Sequence, residues 1–231
     1  LHGFSDCGAA FTRIFETSLC GDAYLLAPDL PGFGTSPQGD HGGMIADHVA
    51  TLLSLIEIET PNSKIGLVGH SLGSVIAAEA ASILGQRCMG VFSIEGNITS
   101  DDAYFSGRAV DFENAEDFKE WFTTKMQERG ADSEIFRLYH SRLLQADDEA
   151  MWRIGFDAKT YSKDDQPGHV LLSLDCPVHY FWCAENTPDS TQKFLSDYDI
   201  PNSQVMGTSH WPMLDAPNQV AESIQNLFGT K

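Results

Sequence analysis

Ile65-Gly66-Leu67-Val68-Gly69-His70-Ser71-Leu72-Gly73-Ser74-Val75-Ile76-Ala77 is the stretch whose reading decides the fold. Ile65 to Val68 is apolar without polar alternation, the pattern of a strand buried on both faces of a parallel sheet. From Leu72 to Leu84 the chain is rich in alanine and repeats Val75, Ile76, Ala80 and Ile83 at helical spacing. Between strand and helix lies a Gly-x-Ser-x-Gly pentapeptide. Five-residue patterns with three fixed positions arise by chance, so the strand–turn–helix setting is what gives this one weight. Its glycines allow a turn tight enough to strain the central residue. The Ser71 hydroxyl is then expected at the carboxyl end of the strand and the start of a helix, where the dipole favours developing negative charge.

Outward from this point, strands alternate with helices. Upstream, Tyr24 to Ala27 reads as a short strand ending in the turn Pro28 to Gly34, and Met44 to Ile58 reads as a helix. Downstream, Cys88 to Ile94 and Val178 to Cys183 read as strands, Ser203 to Met206 as a short one, and Ala216 to Phe228 as a closing helix with Pro217 in its first turn. That alternation predicts an α/β fold with a mostly parallel central sheet and helices on both faces. From about Asp101 to Asp165 the alternation stops and the pattern becomes helical and more polar, with Phe118, Trp121, Phe122, Met126, Ile135, Phe136, Leu138, Leu143 and Leu144 as the apolar positions. So long an excursion between two strands predicts an inserted helical subdomain, a lid or cap. The expected division is a core of residues 1–97 and 171–231, with a lid of residues 98–170.

The 231 residues suffice for one large domain. A net charge of −19 repels phosphate backbones and anionic lipid headgroups, so nucleic acid and membrane partners are not expected. No apolar stretch is long enough to span a bilayer. Five scattered cysteines without a CxxC spacing argue against a disulfide framework or a zinc site. Cys88 and Cys183, in apolar runs, read as packing residues. The cytoplasm is the default compartment. The triplet Asn97-Ile98-Thr99 fits the glycosylation pattern, but such short patterns carry no weight.

A serine hydroxyl needs a base within hydrogen-bond reach. Of the eight histidines, His210 stands out, because Gly207-Thr208-Ser209-His210-Trp211-Pro212 joins the last short strand to the last helix. With His2-Gly3-Phe4, Asp29-Leu30-Pro31-Gly32-Phe33-Gly34-Thr35-Ser36, the pentapeptide at Gly69–Gly73 and Ser209-His210-Trp211-Pro212 in this order, the chain resembles the α/β-hydrolase fold family. The likeness is to its lid-bearing esterase, lactonase and carbon–carbon hydrolase members. The resemblance implies a nucleophile elbow at Ser71, a base at His210, an oxyanion loop at His2–Phe4 and an organising role for Asp29. It also implies that the family's first three strands, N-terminal to the oxyanion loop, are missing, so that the sequence is a fragment of a longer chain.

The third member of a triad is a carboxylate that fixes the base's tautomer and stabilises its cation. Most members of the family place it after the strand that follows the lid, which here falls on Cys183-Ala184-Glu185-Asn186. Asn186, a neutral amide, holds the usual acid position. Some branches, certain haloalkane dehalogenases and mycotoxin lactonases among them, carry the acid after the strand before the lid. Here that strand ends in Phe92-Ser93-Ile94-Glu95-Gly96-Asn97, and Glu95 is the preferred acid, with Glu185 the runner-up. The lactonase branch also has a turn similar to Asn186-Thr187-Pro188.

The resemblance further implies that the amides of Phe4 and Leu72 hold the oxyanion. Tyr104, Trp121 and Trp152 are the candidate substrate-binding aromatics. The expected activity is cofactor-independent cleavage of a small-molecule ester or lactone, with no metal. The alternatives are carbon–carbon bond hydrolysis, acyl transfer or cofactor-free peroxidation by the same residues, a ligand-binding member with little turnover, or an interaction protein that keeps only the fold. A serine at the elbow argues against dehalogenase and epoxide-hydrolase chemistry.

Overall fold

A computed structural model of the chain describes residues 1–40 and 42–229. Its strands are β1 (Ile65–His70), β2 (Cys88–Ile94), β3 (Val178–Cys183) and β4 (Asn202–Val205). They form one sheet in that order, every neighbouring pair parallel. Its α-helices are α1 (Leu19–Asp22), α2 (Ile45–Glu59), α3 (Leu72–Leu84), α4 (Ala115–Gly130), α5 (Glu134–Leu143), α6 (Asp148–Tyr161), α7 (Gln166–Leu172), α8 (Asp189–Asp197), α9 (Pro212–Asp215) and α10 (Pro217–Phe228).

The expected α/β class with a parallel sheet is the observed one. β2 is central and almost wholly buried, with Val91, Phe92 and Ile94 fully covered, as its unbroken apolar run requires. Two glycines of β1 show how helices cover the sheet. A Cβ at Gly69 would lie 2.4 Å from Ser74 Cα of α3, and one at Gly66 would lie 2.9 Å from the Phe228 ring of α10. Three residues apart in a strand, they point to opposite faces, so α3 and α10 flank the sheet.

Four helices, α4 to α7, lie between β2 and β3; α4 to α6 fall in the predicted helical stretch and α7 follows it. The starts of α4, α5 and α6 are fixed by Asn114, Ser133 and Asp147, whose side chains accept from Asp117, Phe136 and Ala150 amides. Among the elements that escape the periodicity reading are the 3₁₀ helix Gly8–Glu16 and α8.

Tyr24–Ala27 is not a strand. Leu25 and Ala27 turn inward and Tyr24 and Leu26 outward, as in a strand, but no ladder engages them. Between this segment and β1 runs an apolar groove of about 460 Å³, lined by Leu1, Leu25, Ala27, Leu67 and Val68 among others. On that side of β1, among the described residues, Leu1 pairs with the strand: its amine donates to Val68 O at 2.6 Å and its carbonyl accepts from His70 N at 3.0 Å.

Candidate active site

The carboxyl ends of β1 and β2 carry Ser71 and Glu95. His70 pairs with Ile94 in the ladder, so the two residues that follow are neighbours on one rim. Ser71 N–H donates to Ile94 O at 2.9 Å, and Glu95 N–H donates to Phe181 O at 2.8 Å. Both residues sit at positive φ, 50° and 46°, a region that costs a residue with a side chain about 1–2 kcal/mol. The strain at Ser71 is sustained by close packing around it. A Cβ at Gly73 would lie 2.4 Å from His2 O, so only glycine lets the His2–Phe4 loop reach the helix start.

His210 arrives from the loop after β4. Three neighbours hold this loop by hydrogen bonds. His70 Nε2 donates to His210 O at 2.7 Å, Asn186 Nδ2 donates to Thr208 O at 2.9 Å, and Asp215 Oδ2 accepts from both Ser209 N and Oγ. The His210 Nδ1 atom lies 3.9 Å from Glu95 Oε2 and 3.5 Å from the Tyr104 hydroxyl. Ser71 and His210 line one small cavity of about 20 Å³, together with Phe4, Asp6, Tyr104 and Phe105. Ser71 Oγ donates to Asn97 Oδ1 at 3.3 Å and not to His210.

Glu95 is buried and held at both oxygens. Oε1 accepts from Cys183 N at 2.7 Å, and Oε2 accepts from the Thr187 hydroxyl at 2.9 Å. Burial nevertheless outweighs these bonds and pushes its carboxyl up to about 8. Burial, and then the adjacent His70, hold His210 well below the usual imidazole range. Both shifts favour an uncharged resting pair. His70 is itself buried and pushed down to about 3, so it stays a neutral donor to the His210 carbonyl.

Leu72 opens α3, so its amide belongs to the first turn, whose N–H groups lack intrahelical partners. Phe4 lies across from it in the buried first loop, its carbonyl taking the Tyr139 hydroxyl at 2.8 Å. His2 Nε2 accepts from Leu30 N at 3.0 Å, which ties this loop to the next. Asp29 accepts from Gly8 N, Thr35 N and the Thr35 hydroxyl, consistent with organising its own loop.

Ser71, His210, Glu95, Phe4, Leu72 and Tyr104 are thus gathered at one rim. Trp121 and Trp152 are placed elsewhere. Trp121 packs against Phe112 and Phe118 under the Arg108 guanidinium. Trp152 donates its indole N–H to Ala109 O at 3.1 Å. Helical spacing alone does not separate an aromatic facing a pocket from one facing its own helix bundle. Glu185 is exposed and faces the Cys183 thiol.

Three residues at the rim carry no sequence signal for a site. His70 occupies a variable position of the pentapeptide. Asn97 belongs to the glycosylation-like triplet, yet it is buried against Ser71. Asp102 orders the loop after β2 by accepting from Ile98 N and Thr99 N at 2.8 and 2.7 Å.

The chain belongs to the alpha/beta hydrolase family, whose model matches residues 1–223. No curated protein matches the sequence. Solved structures share the fold at low identity. A thermophilic esterase from Thermogutta terrifontis aligns with a TM-score of 0.75 at 18% identity, over 97% of this chain and 86% of its own. An N-acyl homoserine lactonase, AidH, has a TM-score of 0.75 at 16% identity, over 100% and 88%. An AqdC variant, described for recognition and ring cleavage of the Pseudomonas quinolone signal, has a TM-score of 0.77 at 19% identity, over 100% and 90%.

Proposed function

We propose that the protein is a cofactor-independent serine hydrolase that cleaves a carboxylic ester or lactone through an acyl-enzyme. The observation that carries this reading is the meeting of Ser71, His210 and Glu95 at one rim, from three separate segments of the chain. Rotation of the Ser71 side chain exchanges the Asn97 oxygen for His210 Nε2, which takes the hydroxyl proton as Ser71 attacks the carbonyl. Loose resting geometry of this kind is common before substrate binds. Glu95 holds the imidazole by Nδ1 and stabilises its cation. The amides of Phe4 and Leu72 receive the oxyanion. His210 then returns the proton to the leaving alkoxide and activates water to release the acid. The segment 98–170 acts as a lid, because Tyr104 and Phe105 close a cavity of about 20 Å³ that a substrate must widen.

The test is hydrolysis of short-chain p-nitrophenyl esters and of a simple lactone. Ser71→Ala is expected to lower kcat by about 10⁴-fold or more. A fluorophosphonate probe is expected to label Ser71 of the parent protein. Failure to label, with no turnover of any ester, would overturn the proposal in favour of a binding member. The Ser71–Asn97 hydrogen bond is the one observation on that side.

A further inference from the structure

Helix α5 grips the loop that carries Phe4. The Tyr139 hydroxyl meets Phe4 O at 2.8 Å. One helical turn on, Arg142 Nε lies 2.5 Å from Asp6 Oδ1 and Nη2 lies 3.2 Å from Oδ2. The same carboxylate accepts the Trp211 indole N–H and the Cys7 amide, each at 2.9 Å. The Asp6 side chain is 0% exposed and that of Arg142 10%. Every carboxylate oxygen is therefore taken up inside the protein.

Three segments distant in sequence meet on this one ion pair. Asp6 is two residues beyond Phe4 and lines the cavity that holds Ser71. Trp211 follows His210 directly, and its ring packs 4.7 Å from that of Tyr139. A buried ion pair adds little net stability over apolar residues of the same volume. A planar two-bond fork does fix the angle and the separation of what it joins.

We propose that Arg142 is a positioning residue: acting through Asp6, it sets the Phe4 amide and the His210 loop, so that the site is assembled only when α5 is docked. The catalytic half of this inference rests on the hydrolase reading; the structural half does not.

The experiment is Arg142→Met in the full chain, read by ester kinetics and by amide hydrogen exchange. Exchange at residues 3–7 and 208–211 should quicken about tenfold or more, while α2 and α3 stay unchanged. kcat should fall about 100-fold with KM within about threefold, as expected when reacting groups are misplaced and binding is not. In Arg142→Ala, which empties the volume of the side chain, added guanidinium at non-denaturing concentration should restore about a tenth or more of the lost kcat, and Arg142→Lys should fall between. Unchanged exchange at both loops overturns the structural half. Unchanged kcat, or a fall that guanidinium does not relieve, overturns the catalytic half. If Arg142→Met does not fold, Asp6→Asn is read by the same exchange and the same kcat-against-KM split. Should Ser71→Ala keep full activity, the hydrolase reading fails, and exchange alone still decides whether the latch exists.

Discussion

At the end of β2 the chain turns through Glu95 at a φ of 46°, with the carboxylate buried and directed at His210. At the end of the adjacent strand β3 it turns through Ala184-Glu185-Asn186, and the Asn186 amide bonds back to Cys183 O at 3.1 Å. Glu185 there faces water, and its carboxyl is drawn below the usual range by the Cys183 thiol. The two strand ends lie side by side on one rim, and each carries a glutamate. What separates them is cost: one glutamate is held in strained, dehydrated surroundings, and the other rests in an ordinary turn. Costly placements persist only where the surrounding structure enforces them, and such placements cluster at functional sites. Asn186 is part of the same arrangement, because it braces the His210 loop through Thr208 O instead of supplying the acid.

The change that breaks this comparison most sharply is Glu95→Gln. With the carboxylate gone, the imidazolium formed during attack loses its counter-charge, and kcat should fall by about 10³–10⁴-fold. The pH profile sharpens the same point. With the Glu95 carboxyl pushed up to about 8, its ionised fraction drops about tenfold for each pH unit below that value. His210, held low, is neutral across the same range and contributes no limb there. Ester hydrolysis should therefore climb with pH through about 8 in the parent protein, and that limb should be missing from the residual activity of Glu95→Gln. A flat parent profile between pH 6.5 and 8.5 would remove Glu95 from the mechanism.

The raised carboxyl has a stability consequence of definite sign. Between the unfolded value of 4.5 and the folded value of about 8, the native state binds a proton that the unfolded chain has lost. Stability from this group therefore falls as pH rises across that window. Glu95→Gln lacks the penalty. From pH 5 to pH 8.5 its melting temperature should gain on that of the parent by roughly 10 °C. A parallel decline of the two proteins would show that Glu95 ionises as easily in the fold as outside it.

Asn186→Ala tests the brace. Loss of one hydrogen bond to a loop carbonyl should lower kcat by about tenfold, and the pH limb should move slightly upward, because the Asn186 side chain also favours the ionised Glu95 carboxylate. Asn186→Asp restores a carboxylate at the family's usual position but sets it beside Glu95. Like charges oppose each other's ionisation, so the limb should move upward. If Asn186→Asp instead rescued Glu95→Gln fully, the two strand ends would be interchangeable.

What was legible in the sequence follows how local each feature is. β2, β3 and α3 run between the very residues that the apolar runs marked, because Gly, Pro and polar residues bound them. β1 continues two residues further than its apolar run, through Gly69 and His70, since its pairing with Ser93 and Ile94 extends the ladder. Tyr24–Ala27 has a strand's composition, but being a strand requires a partner, and pairing is not written in four residues. The same limit hid Asn97, Asp102 and Arg142. Each acts through contacts with a distant segment, and nothing in its immediate neighbours announces them. For the proposed acid, the sequence preferred Glu95 to Glu185 through the family resemblance and the end of an apolar strand, not through any local chemical difference between the two carboxylates. Burial, hydrogen bonding and φ are what distinguish them in the fold.

The smallest expected effect tests that distinction from the other side. Glu185→Gln removes a full charge from within the Cys183–Thr187 segment that holds Glu95, yet the charge it removes is solvated. Exposed charges of this kind interact weakly with their surroundings, because water screens them. kcat, KM and the limb near pH 8 should all stay within about twofold of the parent. The measurement has force because Glu185 stands next to the family's usual acid position, so a model that locates the acid by position alone expects a large loss. A drop of 100-fold or more in Glu185→Gln, with Glu95→Gln mild, would move the acid to β3 and leave the strain at Glu95 without a function.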